Sequence, residues 1–179
     1  MILQAPADAV YYRRDDYASF WRRAVVDVID VAVAGVLTFV LFAGLWSLPV
    51  FHDAAGLLMF VLLVVAFGYF VVLKRSKWRT VGYRAGGVRV VGMEGGTPGW
   101  SSLCYRMAFS FLGPLNWVLD LIWLSNDAHR QAIRDKFSHT YVIRATALPA
   151  GTGKVAYRYY EICGYNFLFR EVEVPARTP

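Results

Sequence analysis

The chain has 179 residues, enough for one domain of ordinary size, and it is 57% hydrophobic, 18% charged and 16% aromatic. Soluble domains carry about 45–50% apolar and about 25% charged residues, and here the apolar excess falls in blocks. A disordered chain is excluded and an all-soluble globule is disfavoured. Charge is lopsided too: 19 Lys and Arg stand against 13 Asp and Glu, a formal balance of +6. Cys104 and Cys163 lie in unlike contexts without CxxC spacing, so neither a disulfide framework nor a zinc site is indicated.

The first apolar block, Val31 to Leu48, is 18 residues without a charge and closes at Pro49. Its helix is expected to begin near Tyr17 or Phe20, with Arg22, Arg23, Asp27 and Asp30 in its early turns. The second block, Ala54 to Leu73, is 20 uncharged residues, long enough at about 1.5 Å per residue to cover the roughly 30 Å of a bilayer's hydrocarbon. A short link, Pro49 to Asp53, makes the two an antiparallel hairpin. Met1 to Val10 has no apolar core of the kind a signal peptide needs.

Lys and Arg counts orient the hairpin. Arg13, Arg14, Arg22 and Arg23 flank the first span, and Lys74, Arg75, Lys77, Arg79, Arg84 and Arg89 follow the second, while the link between the spans has none. Both ends of the hairpin are therefore expected in the cytoplasm. Trp21, Trp46 and Trp78 fit interfacial belts. The basic run Lys74, Arg75, Lys77 and Arg79 is expected to contact anionic lipid, at about 1 kcal/mol per residue near the surface.

The third block, Leu103 to Leu124, is interrupted by Arg106, Gly113-Pro114, Asn116 and Asp120. As a simple span it would export a tail bearing eight Lys and Arg. As a re-entrant or surface-lying pair of half-helices broken at Gly113-Pro114 it keeps that tail inside. The charge count favours the second arrangement. Gly87–Met93 and Thr140–Ala145 are short β-branched runs and each is the other's natural partner, which again asks for one side of the membrane. Val155–Ile162 and Tyr165–Val174, separated by Cys163-Gly164, read as a hairpin with an aromatic face. Packing of that face onto the membrane side of a small β unit is preferred to nucleic-acid stacking.

Three ordered motifs bring a family into view. Phe20-Trp21-Arg22-Arg23 is followed by Asp30, seven residues after Arg23. Thr80-Val81-Gly82-Tyr83-Arg84 leads into Gly87-Val88-Arg89-Val90-Val91, Gly96, Pro98 and Arg106. Arg130-Gln131-Ala132-Ile133-Arg134-Asp135-Lys136-Phe137 ends in Thr140. The chain resembles the RDD family of small membrane proteins over about Tyr17 to Ala145, with Arg23, Asp30 and Asp135 matching the named arginine and two aspartates. It departs at Arg79, where the family often has Gln, and at Arg134, where it often has His; Asp27 and Asp120 are additional. The resemblance implies an integral membrane protein with transport of unidentified ligands, or cation/proton exchange, as the suspected activity.

On a helix of 3.6 residues per turn Arg23, Asp27 and Asp30 share one stripe. Arg23 can pair with Asp27, and Asp30 is expected to find Arg106, leaving Asp135 near the basic end of the stripe. Asp27, Asp30, Arg106 and Asp120 are the candidates for binding a proton, ion or ligand, since a buried carboxylate changes charge on protonation. The competing reading is a structural network in a membrane anchor whose β unit binds a partner. His52, His129 and His139 lack metal-ligand spacing. Ser101-Ser102 reads as a helix N-cap, Gly95-Gly96 as a strand turn, and Gly151-Thr152-Gly153-Lys154 lacks the rest of a phosphate loop. No enzyme activity, cofactor or metal is indicated.

The expected protein is thus mainly α and integral to the membrane: a transmembrane helix hairpin (spans about 24–48 and 54–73), a Gly-Pro-interrupted third segment (103–124) and a small cytoplasmic β unit. Residues 1–16 form a cytoplasmic tail, 17–145 the membrane domain and 146–179 a tail with a β-hairpin. The cell (inner) membrane, multi-pass with a cytoplasmic N-terminus, is the expected location. The lipid bilayer, a second copy or a membrane-protein partner, and no nucleic acid, are the expected associations.

Overall fold

A computed structural model describes residues 8–110, 113–126, 130–162 and 164–174; His129 and Cys163, considered above, lie outside the described residues. The chain divides into two compact units, Phe20–Val88 and a discontinuous one made of Met1–Ser19 with Arg89–Pro179.

The first unit is helical. Helix α1 runs Phe20–Trp46 over 27 residues, about 40 Å at the usual rise. The link after it is not a plain loop: Pro49–Asp53 forms a short helix α2 with Pro at its start, where a missing N–H costs nothing. Helix α3, Ala55–Phe67, continues into a π-helical segment, Gly68–Leu73. These two helical stretches are long and apolar enough to cross a bilayer, and only 6% and 17% of their most apolar windows are buried. A short helix α4, Val81–Ala85, packs against α1. Gly82 makes that approach, because a Cβ there would lie 2.3 Å from the Val26 carbonyl oxygen and 2.7 Å from Oδ1 of Asp30.

The second unit is a mixed α/β body built around three two-stranded sheets. Strand β1 (Ala9–Tyr11) pairs antiparallel with β4 (Gly151–Gly153), with Val10 opposite Thr152. Strand β2 (Val88–Gly92) pairs with β3 (Thr140–Arg144), and β5 (Val155–Ile162) with β6 (Tyr165–Val172), antiparallel. Hydrogen bonds stitch these together: Val10 N–H donates to the Met93 carbonyl at 2.8 Å and Ala18 N–H to that of Val142 at 2.9 Å. Of the residues expected as an N-terminal tail, Ala9 to Tyr12 are therefore part of the fold. Ala9, Tyr12 and Tyr17 are buried in one cluster with Val91, Tyr141, Ile143, Val155 and Val172, because a short strand with an aromatic flank gains more by adding to this core than by staying solvated.

The third apolar block is broken where Gly113-Pro114 predicts. Helix α5 is Trp100–Ser110 and α6 is Pro114–Asn126, 11 and 13 residues, with Gly113 at φ +56°. Helix α5 begins at Trp100, so Ser101 and Ser102 sit inside its first turn and not at the N-cap, the position Gly99 occupies. A last helix, α7, spans Ile133–Ser138 and closes on His139 in the left-handed region. The Gly92–Gly96 turn forms as expected, with Gly95 at φ +83°, a conformation that suits glycine.

Candidate functional site: two buried charge networks

In the Phe20–Val88 unit the charges sit on the face that α1 turns inward. Arg23 and Asp30 are buried and Asp27 is half-buried, as their shared stripe requires. Both oxygens of Asp30 are used: Oδ1 accepts from the Tyr69 hydroxyl at 2.9 Å and the Gly82 amide at 2.7 Å, and Oδ2 from the Thr80 hydroxyl at 2.6 Å. All three donors are neutral, and among the described residues no cationic side chain pairs with this carboxylate. Arg106, the partner expected for Asp30, belongs to the other unit. The donors that Asp30 has are local: Thr80 precedes and Gly82 lies on a short helix that its own glycine lets approach α1, and Tyr69 brings a third from the π-helical turn.

In the other unit every buried acid among the described residues meets a cation. Arg106, on α5, donates to Oδ1 of Asp135 and, at 2.8 Å, to the Thr140 hydroxyl. Asp135 uses Oδ2 to accept the Ala132 amide at 3.1 Å, so it caps the start of α7 while holding Arg106. Ser138 lies 2.8 Å from the Thr140 hydroxyl, and the Gln131 side chain donates to the Thr140 carbonyl at 3.1 Å. Arg134 pairs with Asp120 at 3.1 Å. Arg134 and Asp120, two of the four positions where the sequence is expected to differ from the RDD motifs, thus answer each other across α6 and α7.

Lys136 has a completely buried side chain, and its partner is one that motif reading missed. Its ammonium pairs with Glu171 on β6 and lies 4.9 Å from the centre of the Tyr160 ring, whose hydroxyl donates to the same Glu171 oxygen. Arg158 reaches the other oxygen at 3.3 Å. Burial raises the Glu171 pKa, but the hydrogen bonds from Lys136 and Tyr160 and the charges of Lys136 and Arg158 lower it by more, so it stays below its ordinary value. The only trace of this pairing in the sequence is a glutamate on the inward face of an alternating strand. Around it Trp123 of α6, Phe137 of α7, and Tyr160, Phe167 and Phe169 of the hairpin pack ring to ring at 5.1–6.1 Å. Of the aromatic residues expected to form one face of the hairpin, Tyr160, Phe167 and Phe169 therefore pack on α6 and α7, while Tyr157, Tyr159 and Tyr165 are exposed.

A profile of the RDD family matches residues 17–139. The chain belongs to the RDD family. No curated protein and no solved structure matches it. With RDD membership, two long apolar helices whose faces are left uncovered mark a membrane protein. The match ends at residue 139, so Glu171, the partner of Lys136, lies outside the matched residues.

The remaining candidates are dispersed. In the basic run, Lys77 is exposed, Lys74 sits 4.6 Å over the Tyr83 ring, and Arg79 donates to the Val88 carbonyl at 3.0 Å. Two of the four expected lipid contacts thus spend their charge inside the protein. Among the described residues no group of three His, Cys, Asp or Glu is placed to hold a metal.

Proposed function

We propose that this RDD protein takes part in proton or small-cation exchange across the cell (inner) membrane, with Asp30 as the exchanging carboxylate and the charges of the other unit as structural fasteners. The observation that carries this reading is the lack of a counter-cation at Asp30. An ionised carboxylate has about four acceptor directions, and three are filled by neutral donors. One direction on Oδ2 is left for a proton or a monovalent cation, whereas Asp120, Asp135 and Glu171 are each matched by Arg or Lys. A charge buried near a spanning helix without a partner is costly, and binding a cation relieves that cost.

The proposed topology is multi-pass with the N-terminus and the C-terminal tail both cytoplasmic. It is supported by the hydrogen bonds that join β1 to β4 and Val10 to Met93, since bonded strands lie on one side of a bilayer. Helices α5 and α6, about 16 and 20 Å long at the usual rise, then serve as half-helices that enter and leave on that side. Their polarity supports this: Arg106 and Asp120 are buried while Leu115, Val118 and Ile122 are more than half exposed.

The test is flux in proteoliposomes. Wild-type protein passes protons or a monovalent cation, and Asp30→Asn abolishes the flux while remaining monodisperse. Flux that survives in Asp30→Asn, or none from wild type, overturns the reading. The second outcome leaves the alternative of a non-transporting anchor, which the closed state of the Arg106–Asp135 and Lys136–Glu171 pairs favours. A C-terminal reporter fusion is expected to read cytoplasmic.

A further inference from the structure

A small polar cavity of about 190 Å³ in the α/β unit is lined by Met93, Glu94, Thr97, Ser102, His139 and Arg170 among others. At about 30 Å³ per water it holds some six waters, which suits a small polyatomic ion and not a nucleotide. Two features give it a positive bias. The Arg170 side chain is half-buried, and its Nε is buried without a hydrogen-bond partner among the described residues. The first turn of α5 ends there, with Gly99 and the Ser102 hydroxyl on the wall, and helix amides at such an end carry about half a positive charge. The left-handed turn at His139 and the Gly92–Gly96 turn bring the two remaining walls together. Burial first, then the charge of Arg170, lowers the His139 pKa, so near pH 7 the ring is a neutral donor. Glu94 is the one acid on the lining, and it is exposed.

We propose that this cavity binds a phosphate group, with Arg170 as its counter-charge and the Ser102 hydroxyl and the first-turn amides of α5 as its donors. Trp100, the first residue of α5, follows the lining residue Gly99 in the chain and is 48% exposed, the placement of an interfacial anchor. A phospholipid headgroup is one source of the phosphate and a free phosphate ion the other. The lipid source rests on the topology proposed above.

Full-length protein in dodecyl maltoside micelles, stripped of lipid, is titrated calorimetrically with inorganic phosphate, with dihexanoyl-phosphatidylglycerol and with dihexanoyl-phosphatidylcholine. The expected result is saturable binding of at least one, weakened tenfold or more by Arg170→Gln and by Ser102→Asp. The second variant puts a carboxylate in the cavity at a helix position that favours acids, so it keeps the fold. Glu94→Gln is expected to tighten binding. Lipid binding without phosphate binding assigns a headgroup site; phosphate binding without lipid binding assigns a free-ion site. Wild type that binds none of the three, or binding that Arg170→Gln weakens less than tenfold with its melting temperature unchanged, overturns the proposal. The micelle measurement needs no particular membrane topology, so its failure is distinct from a failure of the reporter fusion or of the flux assay.

Discussion

The two units of this protein bury carboxylates in opposite ways. In Phe20–Val88, Asp30 is surrounded by a phenol, an alcohol and an amide; in the other unit Asp135, Asp120 and Glu171 each face an arginine or a lysine. Neutral donors hold a carboxylate in place and leave its charge uncancelled, whereas a cation cancels it and becomes dependent on it. The first arrangement leaves a site that still attracts a proton or a cation. The second is a lock that fails when either half is removed. This contrast is the physical basis of the proposal that exchange takes place at Asp30 and fastening at Asp135.

Breaking the lock tests the comparison most severely. Asp135→Asn strands the buried Arg106 and is expected to cost about 3–5 kcal/mol, read as a large fall in melting temperature or loss of folded protein in detergent. A loss below 1 kcal/mol would mean that the pair is not a fastener. Glu171→Gln removes the counter-charge of Lys136 and is expected to cost about 1.5–3 kcal/mol, concentrated in loss of amide protection over 155–172.

The same hairpin gives a pH signature. The folded pKa of Glu171 lies below its ordinary value of 4.5, so its contribution is fully present above that value and is lost as pH falls through the lower, folded one. Hairpin protection is expected to drop with acidification in wild type and to show a flatter profile in Glu171→Gln; equal profiles would remove Glu171 from the account. In the other unit the effects are smaller. Gly82→Ala forces a Cβ against the Val26 carbonyl, at about 1–3 kcal/mol. Tyr69→Phe removes one of three donors to Asp30, at about 1 kcal/mol, and is expected to change the pH dependence of any flux more than its folding. A flux profile identical to wild type would take Tyr69 out of the exchange site.

Much of the fold is legible in the sequence because its signals are local. Uncharged runs as long as a bilayer is thick mark α1 and α3, and Gly113-Pro114 marks the break between α5 and α6. Alternation with Cys163-Gly164 between the runs marks the last hairpin. The N-terminal strand escaped notice because three residues pairing with Gly151–Gly153 have no periodicity to detect. The motif residues were found, but their partners were not. Arg106 is expected at Asp30 only if the third apolar block packs against the first, while its carboxylate comes from α7. Glu171 carried no signal beyond its place on a strand.

The sequence by itself determined that this protein has two lipid-length apolar helices, a broken third segment, an excess of positive charge placed around them, and the charged motifs of the RDD family. Only the tertiary structure decided which charge answers which. The partners are separated by 29 residues for Arg106 and Asp135, 35 for Lys136 and Glu171, and 52 for Gly82 and Asp30. Periodicity reports on neighbours within a turn or two of the chain. Burial of a charge is resolved by whatever donor or counter-ion the folded backbone brings within about 3 Å, and that is a property of the fold.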